Sequence, residues 1–485
     1  MDQKNKLQGI EEHLALSAMM MAVCSYLMFA PVWFPQITGR IYDNARVLQL
    51  FLLVMLVPLS LLPDARNSLV GSWTALSRPA RICIAILVGG GGLSAAFSPA
   101  QQVGLLQVGL IMLLIWLFLC TCAIVRKLGR PTETVLAVAV CVGAGLAVLR
   151  FWVTFIQYLE AGRNFSWVSP FLEFANVRFF GQYQAYTLLL VALPASLLRL
   201  SPSWRVVVYL VSASFWSLQW MVGSRAVWVG FVVAMVVVAL CMPKGRLRWL
   251  GTQGALVLAG GAIYLLFATF VLSSPNATAI PAANSVVGRG GESMSERVTM
   301  AKAALHLIGE HPLLGTGPGQ FGLHFSATGA AHPHNTPLQL ATEYGLPAGL
   351  AGVALGAMLL AFAMRELRSS TQYQPDVIGA SLGAALVMGL VESLFSGNLV
   401  MPHSQVMLAV LAGWLVGRSR VPVQPQVFYG DRTAIMRTAL LGSAVLACLV
   451  TAILAIEYLD VTSNLWLPSE LRTPSFWQYA RFSNW

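Results

Sequence analysis

A histidine and an asparagine stand side by side at His334-Asn335, within His332-Pro333-His334-Asn335-Thr336-Pro337, and Glu343 follows nine residues later. Of the seven histidines in the chain, five (His306, His311, His324, His332 and His334) fall within 29 residues. An imidazole with an ordinary pKa of about 6.5 exchanges protons near neutral pH, so His334 is a candidate general base. Two other readings stay open at this point. His332-x-His334 is a candidate metal pair, although a proline separates the two and no Cys or Asp lies close. The histidines also suit a capping or interfacial structural role. Glu343 lies about two and a half helical turns beyond His334. Its carboxylate therefore points away from that imidazole unless the helix breaks, and holding an arginine suits it better.

Arginine offers the second chemistry. Arg178 stands in Asn176-Val-Arg178-Phe-Phe-Gly181-Gln182, Arg225 in Gly223-Ser224-Arg225, and Arg297 at the head of SERVTMAKAALHLIGEHPLLGTGPGQF. A guanidinium binds phosphate through two parallel hydrogen bonds; the alternative is snorkelling to lipid headgroups. Arg150, inside an apolar run, is open to both readings, because an intramembrane charge is a functional suspect by default. Arg40, Arg46, Arg472 and Arg481 read as snorkelling side chains.

The elements that position these groups follow from composition. The 485 residues are 57% hydrophobic and 10% charged, where soluble domains carry about 25% charged residues. This excludes a cytosolic globular enzyme, a disordered chain and a secreted disulfide scaffold. The fold class is an all-α polytopic membrane protein with about 12–13 transmembrane helices and a long helical periplasmic loop. Apolar runs of membrane-spanning length lie near 14–34, 47–63, 80–97, 103–125, 135–158, 183–198, 204–221, 226–242, 250–272, 346–364, 377–395, 403–417 and 436–457. With the N-terminus in the cytoplasm, 19 of the 30 Lys and Arg fall in cytoplasmic loops. That is the positive-inside pattern, and it accounts for most of the net charge of +11 without a nucleic-acid partner.

The chain divides into transmembrane helices 1–5 (1–158), a periplasmic loop (159–182), helices 6–9 (183–272), a large periplasmic loop with the histidine motif (273–345), helices 10–13 (346–457) and a periplasmic tail (458–485). Within the large loop, Ser295 is expected to cap a helix over 296–310, with Ala301, Ala304, Leu305 and Ile308 on one face. Pro337 suits the first turn of the next helix, and Gly345, Pro347 and Gly349 break or kink it. The seven cysteines all lie in or at the ends of apolar runs and read as small buried hydrophobes. No D-x-D pair and no phosphate-binding P-loop occurs. Gly315-Thr-Gly317-Pro-Gly319 reads as a turn cluster.

The stretch HPHNTPLQLATEYGLPAG resembles the histidine motif of the bacterial O-antigen ligase and polymerase superfamily. NVRFFGQ and GSRAVWVG resemble that family's two earlier arginine sites, and SGNLVMPHSQ and the terminal TPSFWQYARFSNW resemble elements of some members. The resemblance runs from about residue 160 to the end. Some ligases carry G-x-x-G after the motif, where this chain has Gly345-Leu-Pro-Ala-Gly349.

The resemblance implies a multi-pass inner-membrane enzyme with its site on the periplasmic side. Such an enzyme moves a glycan from undecaprenyl pyrophosphate to an acceptor hydroxyl, here a sugar of lipid A–core. It implies His334 as the catalytic residue and Arg225, Arg297 and Arg178 as the pyrophosphate site, with His332, Asn335, Glu343 and Gln182 in support. It implies neither metal nor cofactor. O-antigen polymerase and protein O-oligosaccharyltransferase are the alternatives within the superfamily. A polysaccharide or lipid transporter is the alternative from another class.

Overall fold

A computed structural model of the chain describes residues 2–37, 41–162, 165, 169–272, 290–325, 332–368, 376–419 and 431–462. Every regular element among these residues is helical. The first part of the chain forms α1 (Asp2–Phe29), α2 (Ile41–Ser60), α3 (Pro63–Ala75), α4 (Arg78–Ala96), α5 (Gln101–Leu128) and α6 (Arg130–Glu160). A 3-10 turn at Ser169–Phe174 leads into α7 (Val177–Thr187), α8 (Pro194–Leu197), α9 (Pro202–Val222), α10 (Arg225–Cys241) and α11 (Arg246–Leu272). Then come α12 (Gly290–Glu310), α13 (Phe321–His324), α14 (Thr336–Arg368), α15 (Val377–Glu392), a 3-10 turn at Asn398–Val400, α16 (Pro402–Arg418) and α17 (Asp431–Thr462).

Eight described helices are long and apolar enough to cross a bilayer, and three more apolar helices (Leu14–Phe29, Arg225–Cys241 and Val377–Glu392) are shorter. The chain is a multi-pass membrane protein. The thirteen apolar runs read from sequence exceed eight because they include these three helices, the 17-residue α16 and the run 183–198. At 1.5 Å per residue, 17 residues reach about 26 Å, slightly less than a hydrocarbon core of about 30 Å.

The structure corrects three sequence-based boundaries. The run 183–198 is not one helix: α7 ends at Thr187, residues 188–193 are turns, and α8 has four residues. Pro194 stands at the first position of α8, where a missing N–H costs nothing. The turns are buried in protein, the one setting in which irregular backbone is tolerated at membrane depth. Secondly, α3 occupies what reads in sequence as a cytoplasmic loop. Thirdly, α14 runs through the expected boundary at 345/346, with its kink at Gly345 (φ 81°).

α5 lies at the centre of the bundle. It is 72% buried in its most apolar window, against 22% for α4. Glycines bring α5 close to its neighbours. Gly413 and Gly417 of α16 press on the α5 backbone at Phe118 and Cys122, and Gly109 of α5 faces Thr451 of α17. Small residues at such contacts let helix backbones approach and gain dispersion energy. Cys120 and Cys122 are free thiols buried in this seam.

An ion cluster closes one end of the bundle. Arg418, ending α16, donates to Asp376 at 2.6 and 2.8 Å and to Glu133 at 3.0 Å, while the Trp414 indole donates to Glu133 at 3.3 Å. This ties the starts of α6 and α15 to the end of α16. The His334 site lies at the opposite end, where α16 begins.

Candidate functional site

Three helices start at this site. Asn176, in extended backbone, caps α7 by accepting from the Arg178 amide at 2.9 Å. Gly223, left-handed at φ 62°, ends α9 and turns the chain through Ser224 into α10, whose first residue is Arg225. Gly181 of α7 packs closely against Val222 and Ser224 of that turn. Asn335 caps α14 by accepting from the Leu338 amide at 2.9 Å. Helix N-termini carry partial positive charge and unpaired N–H groups, so their convergence, with Arg178 and Arg225 in the first turns, favours an anion.

The Asn335 side chain also donates to the Leu394 carbonyl at 2.9 Å, and the Thr336 amide donates to the Ser393 carbonyl at 3.0 Å. The histidine motif is thus clamped to the segment after α15. His332 is buried against Gly397, where a Cβ would overlap its ring. The His332 Nδ1 accepts from the His334 amide at 3.3 Å, which places the His332 proton on Nε2. Burial, and then the neighbouring His334, hold the His332 pKa well below its ordinary value. His334 adopts φ 54°, a left-handed conformation uncommon for residues other than glycine. Strained residues of this kind cluster at functional sites.

The electrostatics bring four predicted residues together. Burial first, then Arg297 and Arg178, lower the His334 pKa to about 4. His334 is therefore neutral at pH 7 and able to accept a proton. Burial, then Arg178, then Arg225 lower the Arg297 pKa, against the opposing attraction of Glu392. Arg178, Arg225 and Arg297 are all exposed, so the positive field is open to a ligand.

Glu343 does something other than expected. Its buried carboxylate accepts from the amides of Gly319 (2.9 Å) and Phe321 (3.4 Å) and from Gln339 (3.4 Å). It anchors the Gly315–Gly319 turn to the kink of α14 instead of holding an arginine. The Gly317 amide to the Glu343 carbonyl (3.0 Å), Leu346 to Pro312 (2.8 Å) and Ser94 to Glu343 (2.8 Å) complete that strap. At Gly345 a side chain would collide with the Leu313 carbonyl. Gln182 is buried one helical turn beyond Arg178, and its Oε1 has no partner among the described residues.

The five clustered histidines separate in space. The His332 and His334 rings are 4.3 Å apart, edge to face. His306 pairs with Glu310 at 3.3 Å, and His324 responds to His311 and Glu310. Among the described residues no group of three His, Cys, Asp or Glu is arranged to hold a metal. The large-loop helix begins at Gly290, earlier than the expected Ser295 cap, and its packed face is Met300, Ala304 and Leu307, with Leu305 59% exposed. Phe321, Phe325 and Leu338 cover that face, which rotates the contact stripe from the one drawn from spacing alone.

Two features escaped the sequence reading. Glu392, buried at the end of α15, accepts from Ser396 and attracts the Arg297 charge. A carboxylate ending an apolar helix was the available signal. Arg46 is fully buried and does not snorkel. It donates to Tyr42 (2.9 Å), to the Val400 carbonyl (2.6 Å) and to Gln405 (2.6 Å), fixing the segment that follows Gly397. Polar residues at Asp43, Arg46 and Gln49, all buried, mark this face of α2. Arg150 pairs with Glu173 and donates to the Val32 carbonyl at 2.5 Å. Arg40, Arg163, Arg289, Arg472 and Arg481 lie outside the described residues.

No curated protein matches the chain. Residues 210–353 match the family model described as O-antigen ligase. The matched segment contains Arg225, Arg297 and His334, while Arg178 precedes it. The likeness to the O-antigen ligase family thus covers the candidate base and two of the three arginines.

Proposed function

We propose that the protein is an O-antigen ligase-like glycosyltransferase. It moves a glycan from undecaprenyl pyrophosphate to a sugar hydroxyl of lipid A–core, at the periplasmic face of the bacterial inner membrane. The observation that carries this reading is the gathering of a neutral His334 with Arg178, Arg225 and Arg297 where α7, α10 and α14 begin. A base beside a cationic anion site suits displacement of a pyrophosphate by a hydroxyl.

In this mechanism His334 takes the acceptor proton as the hydroxyl oxygen attacks the anomeric carbon. The bond from that carbon to the pyrophosphate oxygen breaks, and undecaprenyl pyrophosphate leaves. Base catalysis of this kind contributes roughly 10²–10⁴-fold. Charge builds on the leaving group in the transition state, where the preorganised guanidinium groups stabilise it most. The arginines supply the positive charge that a divalent cation supplies in other transferases, so transfer is expected to persist in a chelator.

His334→Ala tests the assignment: the variant should insert in the membrane and lose transfer. A deletion strain separates the readings. A ligase deletion leaves lipid A–core with no O-antigen, whereas a polymerase deletion leaves single repeats on the core. A protein O-oligosaccharyltransferase would modify Ser or Thr instead. Product formation by purified protein without a gradient separates all of these enzymes from a transporter.

A further inference from the structure

A cavity outside the arginine site has no role in the mechanism above. It measures about 280 Å³ and is lined by Val32, Trp33, Phe34, Gln36, Arg150 and Glu173 among others. It sits where the chain leaves α1, beside the outer part of α6 and the 3-10 turn that precedes α7. Its size is at the lower limit of small-molecule sites, which run about 300–1,000 Å³, and suits a single ring.

Its chemistry is specific. Arg150 and Glu173 form an ion pair in the wall, with Arg150 further fixed by the Val32 carbonyl. The Glu173 side chain is 5% exposed and that of Arg150 is 28% exposed, so the guanidinium edge faces the cavity. Paired with Glu173, Arg150 gives the wall fixed hydrogen-bonding groups with little net charge, so the wall does not select an anion. Trp33 is 55% exposed at the rim, and Gln36 is exposed beside it. A tryptophan at this level often anchors in the headgroup layer; Trp33 instead lines the cavity. An indole face is electron-rich and suits the C–H face of a pyranose, while Arg150 and Gln36 suit its hydroxyls.

The cavity is joined to the His334 site. Arg178 lies five residues beyond Glu173 on the same segment. Phe174 packs on His403 with centroids 4.4 Å apart, and His403 also bonds the Ala30 carbonyl at 3.0 Å. His403 opens α16, directly after the Val400 carbonyl held by Arg46 and the Gly397 that seats His332.

We propose that this cavity is a saccharide subsite, holding one neutral sugar ring of a glycan substrate on Trp33, Gln36 and Arg150. The inference deepens the glycan-transfer reading and rests on it only for which sugars are offered. The ring belongs either to the polyprenyl-linked donor or to the acceptor core.

The test is saturation-transfer NMR on the purified full-length protein. Two probes are titrated separately: deacylated core oligosaccharide and lipid-free repeat-unit oligosaccharide from the same cells. Trp33→Ala and Gln36→Ala, both at exposed positions, should weaken one probe by about tenfold, equivalent to 1.4 kcal/mol. Loss on the core probe makes the cavity an acceptor subsite, and loss on the repeat unit makes it a donor subsite. Equal affinity of wild type and both variants for both probes overturns the proposal, as does absence of binding by the wild type. Trp33-dependent binding without any transfer by the wild type would overturn the ligase reading and leave the subsite standing.

Discussion

The backbone amide of His334 donates to the Nδ1 of His332 at 3.3 Å, while the two rings meet edge to face 4.3 Å apart. His334 holds a left-handed backbone at φ 54° through this contact and the Asn335 cap that follows. His332 is therefore a support for His334, and its own ring is fixed by burial against Gly397.

Replacing His332 should act through position. His332→Ala removes the acceptor for a partly buried amide, a loss of about 1–3 kcal/mol, and should lower kcat about tenfold or more with KM for the lipid donor little changed. His332→Asn keeps a nearby acceptor and should recover part of the activity. Steady-state kinetics on the two variants check the split. Equal loss in both would point to a purely steric role.

Gly397→Ala should reproduce the defect from the other side. The new methyl group overlaps the His332 ring, so activity should fall while membrane insertion and helix content by circular dichroism stay unchanged. Wild-type activity in this variant would show that the His332 seat is unimportant.

The pH profile should carry the mark of the arginines. With a His334 pKa of about 4 in the free protein, the neutral, catalytic form predominates above that pH. The acid limb of kcat/KM, which reports free-enzyme groups, should fall only as pH drops through about 4. Arg297→Gln removes a positive neighbour, stabilises the imidazolium and raises the His334 pKa. Its acid limb should move upward, toward the ordinary value of about 6.5, in addition to an overall loss of rate. An unmoved limb would separate Arg297 from His334.

The ion cluster at the other end should matter for stability and not for chemistry. Arg418→Ala leaves Asp376 and Glu133 without their shared guanidinium, and leaving such partly buried charged groups without a partner costs about 1–3 kcal/mol. Thermal unfolding in detergent should show a clear drop, with kcat of the surviving protein preserved.

The helical class and most span positions were legible in sequence because apolar length is a direct demand of the bilayer. The break at 188–193 was partly legible, since Pro194 marks it, but its burial depends on neighbours that hydropathy does not record. His334, Arg178, Arg225 and Arg297 were singled out by chemical type and by resemblance, yet nothing in their spacing shows that α7, α10 and α14 begin together. Glu343 was misread because its partners are backbone amides, and those leave no mark in residue identity. Arg46 was misread for a related reason. An arginine near a helix end looks the same whether it reaches lipid headgroups or, as here, the Val400 carbonyl.

The most direct measurement is glycan transfer by purified protein reconstituted with undecaprenyl-pyrophosphate glycan and lipid A–core. Wild type, His334→Ala and Arg225→Ala are compared by lipopolysaccharide gel. Wild type should give a ladder of glycan-bearing lipid A–core, His334→Ala none and Arg225→Ala a strongly reduced one, with all three proteins equally folded. Wild-type transfer by His334→Ala would contradict the assignment of His334 as the base.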